Sequence, residues 1–82
     1  MYRILTERKN VEQVKQTLGM LGLDYTLYYG DGSWHGHAES SMAIELADVS
    51  IDCARQAATS IKFINEQEAI LLQQIEADSE LL

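Results

Sequence analysis

Apolar residues recur along this chain at two different spacings, and each change of period marks a change of element. Within "NVEQVKQTLGMLG", Val11, Val14, Leu18 and Leu21 lie three or four positions apart, which gathers them on one stripe of an α-helix. Within "SSMAIELADV" the spacing drops to two, so Met42, Ile44 and Leu46 face one way and Ser41, Ala43 and Glu45 the other, as in a strand with one buried face. A second helical stripe of Ile51, Ala54, Ala58, Ile61 and Ile64 follows Ser50, a good N-cap. Two strand-like runs complete the pattern. "YRILTE" has apolar side chains on both parities (Tyr2 and Ile4 against Leu5), as expected of a central strand, and "DYTLYY" is aromatic-rich.

The punctuation between these runs is uneven. Asn10 and Gln13 have the capping-box spacing, and Gly22 stands where a helix usually stops. The stretch "GDGSWHGHAES", residues 30–40, holds the only Trp, both His and three of the five Gly, and its Gly, Asp and Ser supply turn chemistry for a hairpin whose arms extend into it. "NEQEAILLQQIEADSELL" contains no Gly or Pro and admits two readings. Propensity continues the second helix to the end, giving βαββ followed by one long C-terminal helix. Alternatively Asn65 ends the helix and "AILLQQIE" supplies a fourth strand. The strand reading yields strand, helix, strand, strand, helix, strand, the split arrangement of ferredoxin-like folds, and is the expectation adopted. The predicted architecture is α+β, a ferredoxin-like βαββαβ domain over residues 1–82, with a four-stranded antiparallel sheet and both helices on one face. Leu5, one row of the Tyr-rich second strand, Ala43 and part of "ILL" would then decorate the open face, and an apolar open face on a small domain meets another copy or a partner.

Composition narrows the class. A chain of 82 residues buries only about 60–65% of its unfolded surface, which favours oligomerisation. Thirteen acidic against six basic side chains give a net charge of −7, which repels nucleic-acid phosphates and anionic membranes. Acidic residues such as Glu76, Asp78 and Glu80 offer a docking surface of their own. The single cysteine, Cys53, cannot form an intramolecular disulfide and falls beside the second helical stripe as a small packed hydrophobe, with no neighbouring cation to activate it. With no signal peptide before "YRIL" and no apolar run near the ~20 residues that cross a bilayer, the expected location is cytoplasmic.

"GSWHGHAESSMAIEL", followed by a helix and then "NEQEAILL", resembles the pattern of small ferredoxin-like proteins of phages and bacterial genomes, some with an outline like the PII and CutA signalling modules. The matching positions are Trp34, Gly36, Glu39, Ser41, Gln67 and the run 69–72. The resemblance implies a compact oligomer, a trimer in PII and CutA relatives, with ligands at subunit clefts. This chain lacks the long exposed loop and the phosphate-gripping lysines of true PII proteins.

The candidate chemistry centres on the hairpin. A third strand beginning at Trp34 would turn His35, His37 and Glu39 to one side, as either a two-histidine, one-carboxylate metal face or a solvated polar edge. Trp34 either stacks on a planar ligand or packs as an aromatic lid. Arg8 and Lys9 close the first strand and offer cations to a phosphate, with Arg3 if it reaches the same cleft, or else lie in a solvated loop. Ser40 and Ser41 beside the histidines and Glu39 have the residue types of a hydrolytic triad, but strand neighbours point to alternating sides. Glu66 and Glu68 bracket a turn. No cofactor motif appears. The expectation is a non-enzymatic binding module, a homo-oligomer (dimer or trimer) that takes a small anionic nucleotide-like ligand at subunit clefts through Arg8, Trp34, His35, His37, Glu39, Ser40 and Ser41. In a phage such a protein would be a sponge for a host immune signal. The alternative is a protein-interaction or inhibitor domain that docks on a host protein through its open sheet face or acidic surface.

Overall fold

The computed structural model describes residues 1–76 and 80–82, and at position 34 the backbone alone. Asp78, one of the acidic positions named above, therefore lies outside the described residues. The elements run β1 (Tyr2–Glu7), α1 (Val11–Met20), β2 (Tyr25–Trp34), β3 (His37–Leu46), α2 (Ile51–Ile64) and β4 (Leu71–Gln74). The four strands form one antiparallel sheet in the order β2-β3-β1-β4. This is the ferredoxin-like βαββαβ arrangement, and β1 is central in it. The reading of a single long C-terminal helix is overturned, because α2 stops at Ile64 and "LLQQ" pairs with β1.

The helix-covered face carries the core. Ile4 of β1 and Met42, Ile44 and Leu46 of β3 are buried against Val14 and Leu18 of α1 and Ala54, Ala57, Ala58 and Ile61 of α2. Three alanines on the inner stripe of α2 let its backbone lie close to the sheet. Cys53 stands outside that stripe and is exposed, which corrects its assignment as a packed hydrophobe. A periodicity of 3.6 puts it about 100° away from Ala54 around the helix. Among the described residues no helix is long and apolar enough to cross a membrane.

Both helices end in the same two-bond motif, with the chain turning through a left-handed residue. At the end of α1, Gly22 (φ 70°) donates its N–H to the Gly19 carbonyl and Leu23 donates to Leu18. At the end of α2, Glu66 (φ 52°) donates to Phe63 and Gln67 to Lys62. Ser50 caps α2 as expected, its hydroxyl accepting the Cys53 N–H at 3.1 Å. The capping box at α1 does not form: Asn10 sits at φ 53° and its side chain makes no cap bond. That side chain is committed elsewhere, donating to the Ile64 carbonyl and the Asn65 side chain across the molecule.

Candidate functional site

The hairpin outruns the sheet. The last β1–β3 pair is Glu7 with Ser41, whereas β2 and β3 continue pairing from Asp31–Ser40 to Trp34–His37. The arm closes on His35 (φ 50°) and Gly36 (φ 79°), two successive left-handed residues that form a type I′ turn, the geometry that matches the twist of a two-residue hairpin. His35 is therefore a turn residue and the third strand starts at His37, which overturns the sequence-based strand of His35, His37 and Glu39 on one side. Among the described residues no group of three or more His, Cys, Asp or Glu is placed to hold a metal ion.

Because the side-chain period of a strand is two, cross-strand partners share a face and the register sorts every hairpin residue. His37, Glu39 and Ser41 are on the open face, and position 34 shares it by its pairing with His37. Ser40 pairs with Asp31 on the opposite side. Arg8 is on that opposite side too. Its guanidinium lies 3.8 Å from the centre of the Tyr29 ring, and Tyr29 is the partner of the buried Met42. The seven sequence-derived site residues are thus divided by the sheet: Arg8 and Ser40 on the helix side, His37, Glu39 and Ser41 on the other, His35 at the tip. The Trp34 side chain lies outside the described structure. Arg3 does not join Arg8, since it pairs across to Glu45 at the far end of β1. The Ser41 hydroxyl donates to the Gly30 carbonyl at 3.2 Å.

His35, Glu39 and Ser41 line a cleft of about 700 Å³ between the arm and the loop that joins α2 to β4. Leu5 and Leu71 form its apolar floor, and Glu7, Glu66, Gln67 and Glu68 complete its wall. Glu39, Ser41, Gln67 and the start of "AILL", motif positions far apart in sequence, are brought together here. Nothing in the sequence groups the carboxylates of Glu7, Glu66 and Glu68 with Glu39, because their meeting depends on where β1 ends relative to the hairpin. Four carboxylates face one ammonium in this lining, Lys9, whose Nζ is 3.3 Å from Glu7.

A buried polar network fixes the loop wall. The Asn65 side chain, fully buried, donates to the Thr6 hydroxyl at 3.3 Å and to Gln67 Oε1 at 3.2 Å, and accepts from Asn10 at 3.1 Å. Thr6 donates to Gln67 Oε1, and Gln67 donates to the Ala69 carbonyl at 3.3 Å. Every buried side-chain nitrogen or oxygen among the described residues has a partner, which is what makes such a network rigid instead of costly.

Beyond the cleft the open face continues as a cross-strand row. Register places Tyr28 beside Ala43, Ala43 beside Leu5 and Leu5 beside Leu71, so an apolar band crosses all four strands. Tyr28 and Leu71 are each about half exposed, at 52% and 51%. The next row holds Arg3 opposite Glu45, with Nη2 2.6 Å from the carboxylate. The Arg3 hydrogen bond holds the Glu45 carboxyl below its ordinary range; partial desolvation opposes this, and a Tyr28 hydrogen bond and the Arg3 charge add to it.

No known protein family matches this chain, and neither does any curated protein.

Proposed function

We propose that the protein is a non-catalytic interaction module that docks a partner protein on the open face of its sheet and the adjoining cleft. The observation that supports this is the band Tyr28, Ala43, Leu5 and Leu71, which runs uncovered across the sheet and into the cleft. A contiguous apolar band on an uncovered sheet face, opening into a cleft, gives a partner an apolar seat.

The charge at the cleft bears on the ligand. An anionic nucleotide-like molecule would enter against four carboxylates, with the one lysine already held by Glu7 and with Arg8 on the other side of the sheet. Those contacts repel a phosphate more than they attract it, so a protein partner is the better match.

Magnitudes indicate what kind of contact this is. Four strands about 4.8 Å apart and some six residues long present roughly 300–400 Å² of face. If half is apolar, covering it contributes about 4–5 kcal/mol at ~25 cal/mol/Å². That is at the lower edge of the ~4–15 kcal/mol that association costs, so the band positions a partner and the polar rim must help to hold it.

The test is affinity capture and sedimentation of the wild-type protein beside Leu71→Gln and Tyr28→Ser, with Phe63→Ser on the helix layer as control. A partner protein held by wild type and Phe63→Ser, and lost from the two open-face variants, is the expected result; self-association lost from the same two variants would instead make the occupant a second copy and overturn the partner-protein reading. Equal capture by all four proteins would refute the reading.

A further inference from the structure

We infer that the segment seated on the open face is basic: a stretch of roughly ten residues of a partner protein carrying Lys or Arg among apolar side chains. The inference rests on the open-face reading above and specifies the chemistry of its occupant.

Two considerations weigh against a second copy of this chain. A stable dimer hides about 800 Å² on each partner, about twice the area that the four-stranded part of this face presents. Each copy also carries a net charge of −7, and a face-to-face pair would bring two carboxylate-lined clefts together. A narrow segment avoids the first difficulty, and a cationic one turns the second into attraction.

The geometry suits such a segment. Leu5 and Leu71 lie in the cleft floor, while Glu39 on the arm and Glu66 and Glu68 on the facing loop stand at its sides. Apolar side chains of the segment settle on the floor, and neighbouring Lys or Arg side chains reach the carboxylates on either wall. Lys9 does not neutralise all of the wall, because its ammonium is taken up by Glu7. Beside the cleft, β2 has Gly30 and Gly32 on the open face, where, among the described residues, the only side chain leaning over them is that of Ser41, so the surface there is low and polar. The ten-residue hairpin strands, about 34 Å long, set the length of segment that can be accommodated. Both walls are held before binding, the arm by its type I′ turn and the loop by the Asn65 network, so little ordering cost falls on the protein.

A randomised peptide library, about twelve residues long to cover the hairpin, is panned against the immobilised full-length protein, Leu71→Gln, Tyr28→Ser, and the double variant Glu39→Gln/Glu68→Gln. Circular dichroism verifies that each is folded. The expected result is enrichment of sequences that mix Lys or Arg with apolar residues on wild type, lost on both apolar-band variants. In fluorescence anisotropy a selected peptide should bind the double glutamine variant about tenfold more weakly, and wild type about tenfold more weakly at ~0.5 M salt than at ~0.05 M. Neutral or acidic sequences that depend on Leu71 and Tyr28 would overturn the basic-segment inference and leave the open-face reading standing. Sequences that bind wild type and both band variants alike would overturn both. No enrichment above the blank matrix would overturn the inference.

Discussion

The two faces of the sheet are made by alternate residues of the same strands, yet they are finished differently. On the helix side Ile4 and Ile44 are completely buried under α1 and α2; one residue along, Leu5 and Ala43 are only partly covered, and Tyr28 and Leu71 are half exposed. On the helix side the polar groups at the sheet's end are knitted into the Asn65 network. On the open side the carboxylates at the same end stand around a cleft. A slip of one residue in register would exchange the two sets, so the pairing of β1 with β3 determines which apolar residues become core and which remain available. The difference teaches that hydrophobicity alone does not distinguish the two roles, since leucine occurs on both sides, Leu46 in the core and Leu5 and Leu71 on the open face.

The strongest way to break this comparison is to truncate equivalent positions. Ile44→Ala removes a fully buried side chain and should cost about 3–4 kcal/mol in urea unfolding, whereas Leu71→Gln should cost under about 1 kcal/mol. Comparable losses would mean that the open face is structural and not reserved for a partner. Next in size, Asn65→Ala leaves Thr6, Asn10 and Gln67 without a shared partner and should destabilise by about 2–3 kcal/mol. A loss near zero in the same unfolding assay would show that the loop wall of the cleft is held by something else.

A smaller effect has the opposite sign. Glu66 occupies a left-handed position at the end of α2, and Glu66→Gly should raise stability by about 0.5–1 kcal/mol by relieving that conformation. The smallest concerns the row beside the apolar band. The folded carboxyl of Glu45 titrates below its unfolded value, so its contribution is complete above the ordinary carboxylate range and fades as pH falls through the folded value. Glu45→Gln should therefore lower stability slightly at neutral pH, with the loss vanishing as pH falls through the folded value so that the acid side of the curve is flatter, a small effect as expected for a partly exposed ion pair. Urea titrations at stepped pH measure this; an unchanged acid limb would mean that the pair contributes nothing to folding.

How far the molecule is legible in its sequence follows from how locally each feature is determined. The stripe of α1, the alternation of β3 and the Ser50 cap are set within a few residues, and they appear where the spacing puts them. The two helix ends show the limit. Gly22 announces its left-handed turn by composition, whereas Glu66 adopts the same conformation with no such signal, so the sequence left strand and helix open beyond Asn65. A similar cause displaced His35: type I′ turns favour Asn or Asp before Gly, and a histidine there reads as a strand residue. The open-face band was readable from parity alone. The cleft was not, because Glu7, Glu39 and Glu68 meet only through the offset between a six-residue β1 and ten-residue hairpin strands. Nor could sequence place Arg8 on the far side of the sheet, stacked on Tyr29.

The central claim, that partners meet the open face and not the helix layer, is tested most directly by photo-crosslinking in expressing cells. A benzophenone amino acid replaces either Tyr28, 52% exposed on the open face, or Phe63, 85% exposed on α2. The account predicts a discrete protein adduct from position 28 and none from position 63, although the latter is the more accessible. Adducts from position 63 alone, or equally from both, would contradict it.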